Sequence, residues 1–344
     1  MRGGRNSGYY LPVITPERIL VFRKSSLGDV ILTLPVLQAL KKEFPGAGID
    51  YLTRTLYAPV IKHNPAVHRV IAFNDNRSFI DAVFQVRKNK YDLFVDLQSN
   101  FQSLIIRSAL FSARRVKYSK RRLARELMVR RPQLKLKVGH TLDAYFVALR
   151  RLGLNATPLP PVLALPSESL DFANDLIDRA FPERQARLIA LCPGARHYEK
   201  RWPHFKELAR RLLENPEIGL LVISSAQDGL PADLGLNHRR LLPVRDFEIL
   251  HVAALLAGCR ATVTNDSGLM HLACAVGTPV LAIFGPTNPR LGFAPVLPGS
   301  KVICDDVFCS PCSVHGQKAC SQLEKYCFTN ITAERVIDTL SDMF

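Results

Sequence analysis

Residues 263–289 read VTNDSGLMHLACAVGTPVLAIFGPTNP, and this stretch decides the fold. An apolar, β-branched run ends at Thr264 and meets the polar turn Asn265-Asp266-Ser267-Gly268. An alanine-rich apolar stretch follows and reads as a helix, and PVLAIFG (279–285) then reads as a second strand. Strands that are apolar throughout, joined through a helix, belong in a parallel sheet covered on both faces. In such a sheet the turn after each strand lies where ligands bind, beyond the carboxyl ends.

The same alternation runs outward in both directions. After the turn at Gly153–Ser167 come a helix from about Ser169 to Arg179, LIALCPG as a strand, a helix from Phe205 to Leu213, GLLVISS as a strand, and a helix through FEILHVAALLAG. Before it, RILVFRK (18–24) is a strand followed by SSLGD and an amphipathic stretch with Val30, Leu34, Leu37 and Phe44 at helical spacing. GIDYLT and VIAF are further strands, Ser78–Lys88 a helix, and YDLFVDL a fourth strand. GLNATPLPPVLALPS (153–167) carries four prolines and reads as the linker. The expectation is α/β: two Rossmann-like domains facing each other across a cleft, over 1–160 and 161–330, with a C-terminal helix over 331–344 packing back on the body.

The chain has 344 residues, enough for two such cores, and 47% hydrophobic with 22% charged residues is a globular composition. No apolar run reaches the length of a membrane span, and the N-terminal segment lacks the apolar core of a signal peptide. A cytoplasmic protein is expected. The net charge is +16, and from Arg107 to Lys137 twelve Lys or Arg face one acid, Glu126. That run is either a solvated basic face or a surface for an anionic partner. Without a zinc finger, RNP-like motif or clear helix-turn-helix, nucleic acid is not the expected partner.

Two turns carry candidate chemistry. Asp29 and Asp266 each lie between a strand and the start of a helix. Amide N–H groups at such a helix start suit an anion, Ser267 and Gly268 give a hydroxyl and close backbone approach, and Asp266 suits sugar hydroxyls. An N-cap role for Asp266 or Ser267 accounts for the pattern equally well, and His271 alone reads as a core histidine. LCPGARHYEKRWPHF (191–205) offers a basic loop in which Lys200 and Arg201 would hold a diphosphate.

KSSLGDVILTLPVLQALKKEFP, PGARHYEKRWP and TNDSGLMHLACAVGTPVLAIFGPTNP occur in an order and spacing that resemble the ADP-heptose:lipopolysaccharide heptosyltransferases, glycosyltransferase family 9. The likeness covers roughly residues 18–340 and implies the GT-B fold and inverting transfer without a metal or other cofactor at the reacting centre. It makes Asp29 the base for the acceptor hydroxyl and Lys200 the partner of the donor diphosphate. It places Arg196, Asp228, Asp266, Ser267, Gly268 and His271 at the donor, and Ser25, Ser26, Gly28, Arg121 and Arg122 at the acceptor. Family members often carry hydroxyl residues where this chain has Ala195 and Arg196, and a glutamate near Gln227-Asp228.

The resemblance further implies ADP-heptose as donor, a lipid A–Kdo or inner-core lipopolysaccharide acceptor, and attachment to the anionic face of the inner membrane through residues 107–137. Cys309, Cys312, Cys320 and Cys327 form C-x2-C-x7-C-x6-C, a spacing open to a structural zinc or iron or to reduced thiols in a packed loop. Three readings compete with inner-core heptose transfer. One is a relative using another nucleotide sugar or a protein acceptor; a second is a non-catalytic sugar-nucleotide or glycan-binding scaffold. The third, a dinucleotide oxidoreductase, lacks GxGxxG after its first strand.

Overall fold

The computed structural model describes residues 15–183 and 187–344. Eleven strands among them form two wholly parallel sheets. The first contains β1 (Arg18–Phe22), β2 (Gly48–Arg54), β3 (Arg69–Phe73), β4 (Leu93–Asp96) and β5 (Arg114–Lys117) in the order β3-β2-β1-β4-β5. The second contains β6 (Arg187–Cys192), β7 (Ile218–Ser224), β8 (Leu241–Arg245), β9 (Ala261–Asn265), β10 (Val280–Phe284) and β11 (Lys301–Cys304) in the order β11-β10-β9-β6-β7-β8. Central strands are apolar along their length because both faces are covered; β9 and β10 are buried at every residue.

In the first domain the helices are α1 (Leu27–Ile31), α2 (Leu34–Glu43), α3 (Ala58–Lys62), α4 (Asn76–Lys88), α5 (Phe101–Ala109), α6 (Arg122–Arg130) and α7 (Thr141–Arg150). In the second they are α8 (Ser167–Ala180), α9 (Phe205–Leu212), α10 (Ile249–Ala257), α11 (Gly268–Ala275), α12 (Tyr326–Thr329) and α13 (Ala333–Ser341). Between α7 and α8 the proline-rich stretch has neither helix nor strand, and Leu163 N–H donates to the Ala275 carbonyl at 2.8 Å. The C-terminal α13 packs on α9, and Trp202 Nε1 donates to the Ile331 carbonyl at 2.7 Å. No helix among the described residues is long and apolar enough to cross a membrane.

Strand order fixes the place of any ligand. The first sheet reverses direction of growth between β1 and β4, the second between β6 and β9, and a crevice opens at the carboxyl end of each such pair. The SSLGD turn follows β1, the basic loop follows β6, and Asn265–Gly268 follows β9. All three polar turns therefore lie at switch points.

The domains meet in several places, among them a contact between α3 and α10. Helices α1 and α11 touch directly. Beside them a strap from residues 125–141 docks on the second domain: Val138 N–H donates to Arg290 O at 3.2 Å, Thr141 N–H to Gly292 O at 2.9 Å, and Arg125 Nε to Leu291 O at 3.0 Å. The Arg125 guanidinium also lies 4.5 Å from the Phe293 ring centre.

Candidate active site

Asp29 is the third residue of α1, where a carboxylate complements the unpaired N–H groups of the helix start. Its Oδ2 accepts from Ser26 N–H at 3.2 Å and from the Ser26 hydroxyl at 3.0 Å. The same oxygen receives the guanidinium of Arg23 at 2.6 Å. Burial works to raise the Asp29 carboxyl, but Arg23 and the Ser26 hydrogen bonds outweigh it and hold the group below its ordinary value. Asp29 is therefore ionised at neutral pH and oriented by one oxygen, leaving Oδ1 for a ligand.

Arg23, at the end of β1, is itself locked. Its Nε donates to Ser25 O at 2.7 Å, one terminal nitrogen donates to Leu97 O at 2.6 Å and to the Tyr118 hydroxyl at 3.1 Å, and its cation faces the Tyr118 and Tyr145 rings. Gln98 Oε1 accepts from the N–H of Lys24 at 2.9 Å, which ties the end of β4 to the same turn.

Across the cleft, Lys200 pairs with Asp266 Oδ2 at 2.8 Å, both side chains largely buried, and the Thr287 hydroxyl donates to that oxygen at 2.7 Å. Asn265 braces the loop that carries the lysine: its Oδ1 accepts from Trp202 N–H at 2.9 Å and its Nδ2 donates to Pro193 O at 2.8 Å. Ser267 is the N-cap of α11, its hydroxyl 3.3 Å from that of Thr264. The N-cap reading and the anion-site reading thus describe one helix start.

Two glycines bring the halves together. A Cβ on Gly28 would collide with Cδ2 of His271, and one on Gly268 would come within 3.0 Å of the Leu27 side chain. Side chains at either position would hold α1 and α11 apart. His271 is buried with Nδ1 unpartnered, and burial first, then the repulsion of His140, brings its pKa down to about 4. It feels the charges of Asp266, Asp29 and Lys200 together, as does His315. The two turns therefore lie close enough for one buried imidazole to sense the charges of both.

Of the expected site residues, Asp29, Ser26, Gly28, Lys200, Asp266, Ser267, Gly268 and His271 converge here, with Ser25 adjoining. The remaining four are placed differently. Arg196 is exposed on the loop. Asp228 is held by Arg201 at 3.2 Å and by Ser225 N–H at 2.9 Å, so its carboxylate braces its own turn. Arg121 donates to Val138 O at 2.9 Å, which fixes the strap, and Arg122 pairs at the surface with Glu126 at 2.7 Å.

Cys309, Cys312, Cys320 and Cys327 line one small cavity with Glu199, Lys318 and Lys325. Burial and the three neighbouring thiols push Cys327 up to about 12, and all four are free. Among the described residues no three His, Cys, Asp or Glu side chains are arranged to hold a metal ion. The sulfurs thus share a cavity without forming a ligand set, and the zinc or iron expectation is not supported by this arrangement.

Arg23, Thr287, Asn265 and Arg125 were not singled out from the sequence. Arg23 carried a signal: a cation closing an otherwise apolar strand one turn before an aspartate. The others depend on contacts between distant segments.

The architecture is shared with solved structures. A family 9 glycosyl transferase from Veillonella parvula superposes with a TM-score of 0.78 at 21% identity, covering 95% of this chain and 97% of that one. The Escherichia coli ADP-heptose lps heptosyltransferase II superposes with a TM-score of 0.71 at 22% identity, covering 95% and 98%. The fold is thus GT-B: two Rossmann-like α/β domains facing each other. The sequence profile of glycosyltransferase family 9 (heptosyltransferase) matches residues 82–322. Lipopolysaccharide heptosyltransferase 1 of Pseudomonas aeruginosa is 29% identical over 95% of this chain and 98% of its own length. The chain belongs to glycosyltransferase family 9, the heptosyltransferase family.

Proposed function

We propose that this glycosyltransferase moves a heptose from ADP-L-glycero-D-manno-heptose to the lipid A–Kdo inner core of lipopolysaccharide, with inversion and without a metal. One observation carries the reading. An ionised, oriented carboxylate at the first switch point faces a lysine and a helix N-terminus at the second, with α1 and α11 in contact between them. The donor and acceptor are inferred from relatives whose names specify ADP-heptose and lipopolysaccharide.

In the single step, the acceptor oxygen forms a bond to the anomeric carbon as Asp29 takes the hydroxyl proton. The bond from that carbon to the diphosphate oxygen breaks, and its electron pair leaves with ADP. Asp29 is a weak base, so its contribution comes from position, with proton transfer accompanying bond formation. Lys200 and the N–H groups at the start of α11 meet the charge that develops on the leaving diphosphate. Asp266 presents Lys200 and offers its carboxylate to sugar hydroxyls. Attack opposite the leaving group gives inversion.

The basic run 107–137 lies beside the acceptor half, and a lipid-anchored phosphorylated acceptor would bring it to an anionic membrane. Incubation with ADP-heptose and truncated inner cores in EDTA, followed by mass spectrometry and anomeric NMR, tests the reaction. One added heptose of inverted configuration is expected; a different mass gain or retained configuration would overturn it.

A further inference from the structure

Among the described residues, six of the exposed large apolar side chains share one layer of the first domain. Helices α4 and α5 pack side by side over one face of the first sheet, burying Phe79, Ala82, Val86, Ile106 and Leu110 beneath them. Their outer faces are apolar as well. On α4, Ile80 and Phe84 are exposed one turn apart; on α5, Phe101, Leu104 and Ile105 are exposed at i, i+3, i+4 spacing, and Phe111 follows. Phe101 and Phe111 are 74% and 78% exposed. A surface helix ordinarily turns polar residues outward, and grouped exposed apolar side chains mark a contact surface.

Cations frame this patch. Arg77, Arg87 and Lys88 on α4, Arg107 on α5, and Arg115 and Lys117 on β5 are exposed around it, while Asp81 is the carboxylate on the α4 outer stripe. We infer that the outer face of α4 and α5, with Phe111, is a docking surface for an anionic lipid bilayer, the apolar side chains entering the interface and the flanking cations meeting the headgroups. Apolar insertion and cationic attraction together are what bind an interfacial surface to anionic lipid. A second copy of the chain fits less well, because a symmetric contact would bring two rims of the same charge together.

The placement deepens the membrane attachment suggested under the proposed function. The Ser103 hydroxyl of α5 donates at 2.8 Å to Asp96, whose loop supplies Gln98 to the backbone of Lys24 beside the Asp29 turn. The first turn of α5 therefore stands at the catalytic end of the sheet, where a lipid-anchored acceptor would reach Asp29 from the bilayer surface.

The single tryptophan, Trp202, is buried in the second domain, so a new one on the patch reports separately. Phe101→Trp and Phe111→Trp are mixed with vesicles of phosphatidylglycerol and phosphatidylethanolamine carrying brominated acyl chains. Quenching and a blue shift in both variants are expected with anionic vesicles and not with phosphatidylcholine alone. The double variant Phe84→Ser/Leu104→Ser should lose about tenfold in vesicle partition, with its melting temperature and its transfer to a delipidated acceptor unchanged. No quenching on anionic vesicles would overturn the proposal. So would light scattering that shows a dimer in solution which the double variant dissolves. Quenching in a protein that transfers no heptose would sustain the docking surface while removing the proposed reaction.

Discussion

The turns after β1 and β9 use the same parts to different ends. Each holds a carboxylate beside a cation, Asp29 with Arg23 and Asp266 with Lys200. Arg23 stands six residues before its partner, just past the end of β1, packed against Tyr118 and Tyr145 and bonded to two backbone carbonyls. A guanidinium so fixed cannot lose its charge or leave, so it keeps Asp29 ionised at neutral pH and aimed. Lys200 reaches Asp266 from another loop through a flexible chain with one point charge. In the proposed reaction a diphosphate would share or take over that lysine, so the second pair would hold the place of the donor. The first pair is fixed, whereas the second can exchange partners.

The sharpest break is at Asp29 itself. Asp29→Ala is expected to lower turnover by about 10³-fold while donor affinity, measured by calorimetry with an ADP-sugar, stays within about twofold. Equal loss of both would remove the asymmetry between the turns. Lys200→Ala should cost about 10²-fold in turnover and weaken donor binding as well, because its charge meets the diphosphate before and during bond breaking.

Arg23→Ala tests permanence. Removing the guanidinium leaves burial to dominate Asp29, so the acidic limb of the kcat/KM profile should move up by about 1–3 pH units. The variant should also lose about 3 kcal/mol in urea unfolding, since a mostly buried carboxylate loses its partner. In the parent protein the folded-state value of Asp29 is depressed. Its contribution to stability is thus complete above about pH 4 and disappears as pH falls through the folded-state value.

Gly28→Ala should reduce turnover by about tenfold with little change in donor affinity, because its methyl meets His271 and spreads α1 from α11. The smallest effect concerns His271, which is neutral above about pH 5. His271→Gln should leave both limbs of the pH profile in place, as stopped-assay rates between pH 5 and 9 would show.

What was legible in the sequence follows from burial. Central strands such as β1, β9 and β10 advertise themselves because both faces are covered, and the three polar turns follow such strands. The strands that periodicity missed, β5, β8 and β11, are all sheet edges. RRVK sets exposed Arg115 and Lys117 on either side of one buried valine, LLPVR contains a proline tolerated only where a ladder bond is absent, and KVIC is four residues long. The candidate site was easiest to place in the sequence where a residue directly follows its own strand, as with Asp29 and Ser267. It was opaque where the partner comes from elsewhere: nothing near Asp266 announces Thr287, and nothing in a run of twelve cations distinguishes Arg125, which crosses to Leu291, from Arg122, which faces solvent.

The strap from residues 125–141 to the 290–292 backbone has a consequence for engineering. Halves of GT-B enzymes invite recombination, since one half addresses the sugar nucleotide and the other its recipient. In this protein the seam is stitched by backbone carbonyls and a ring under a guanidinium, so it is read by shape as much as by sequence. A chimera joined in the proline-rich stretch would inherit mismatched stitching unless both sides of the seam travelled together, and its catalytic turns would meet out of register even with every reacting group intact.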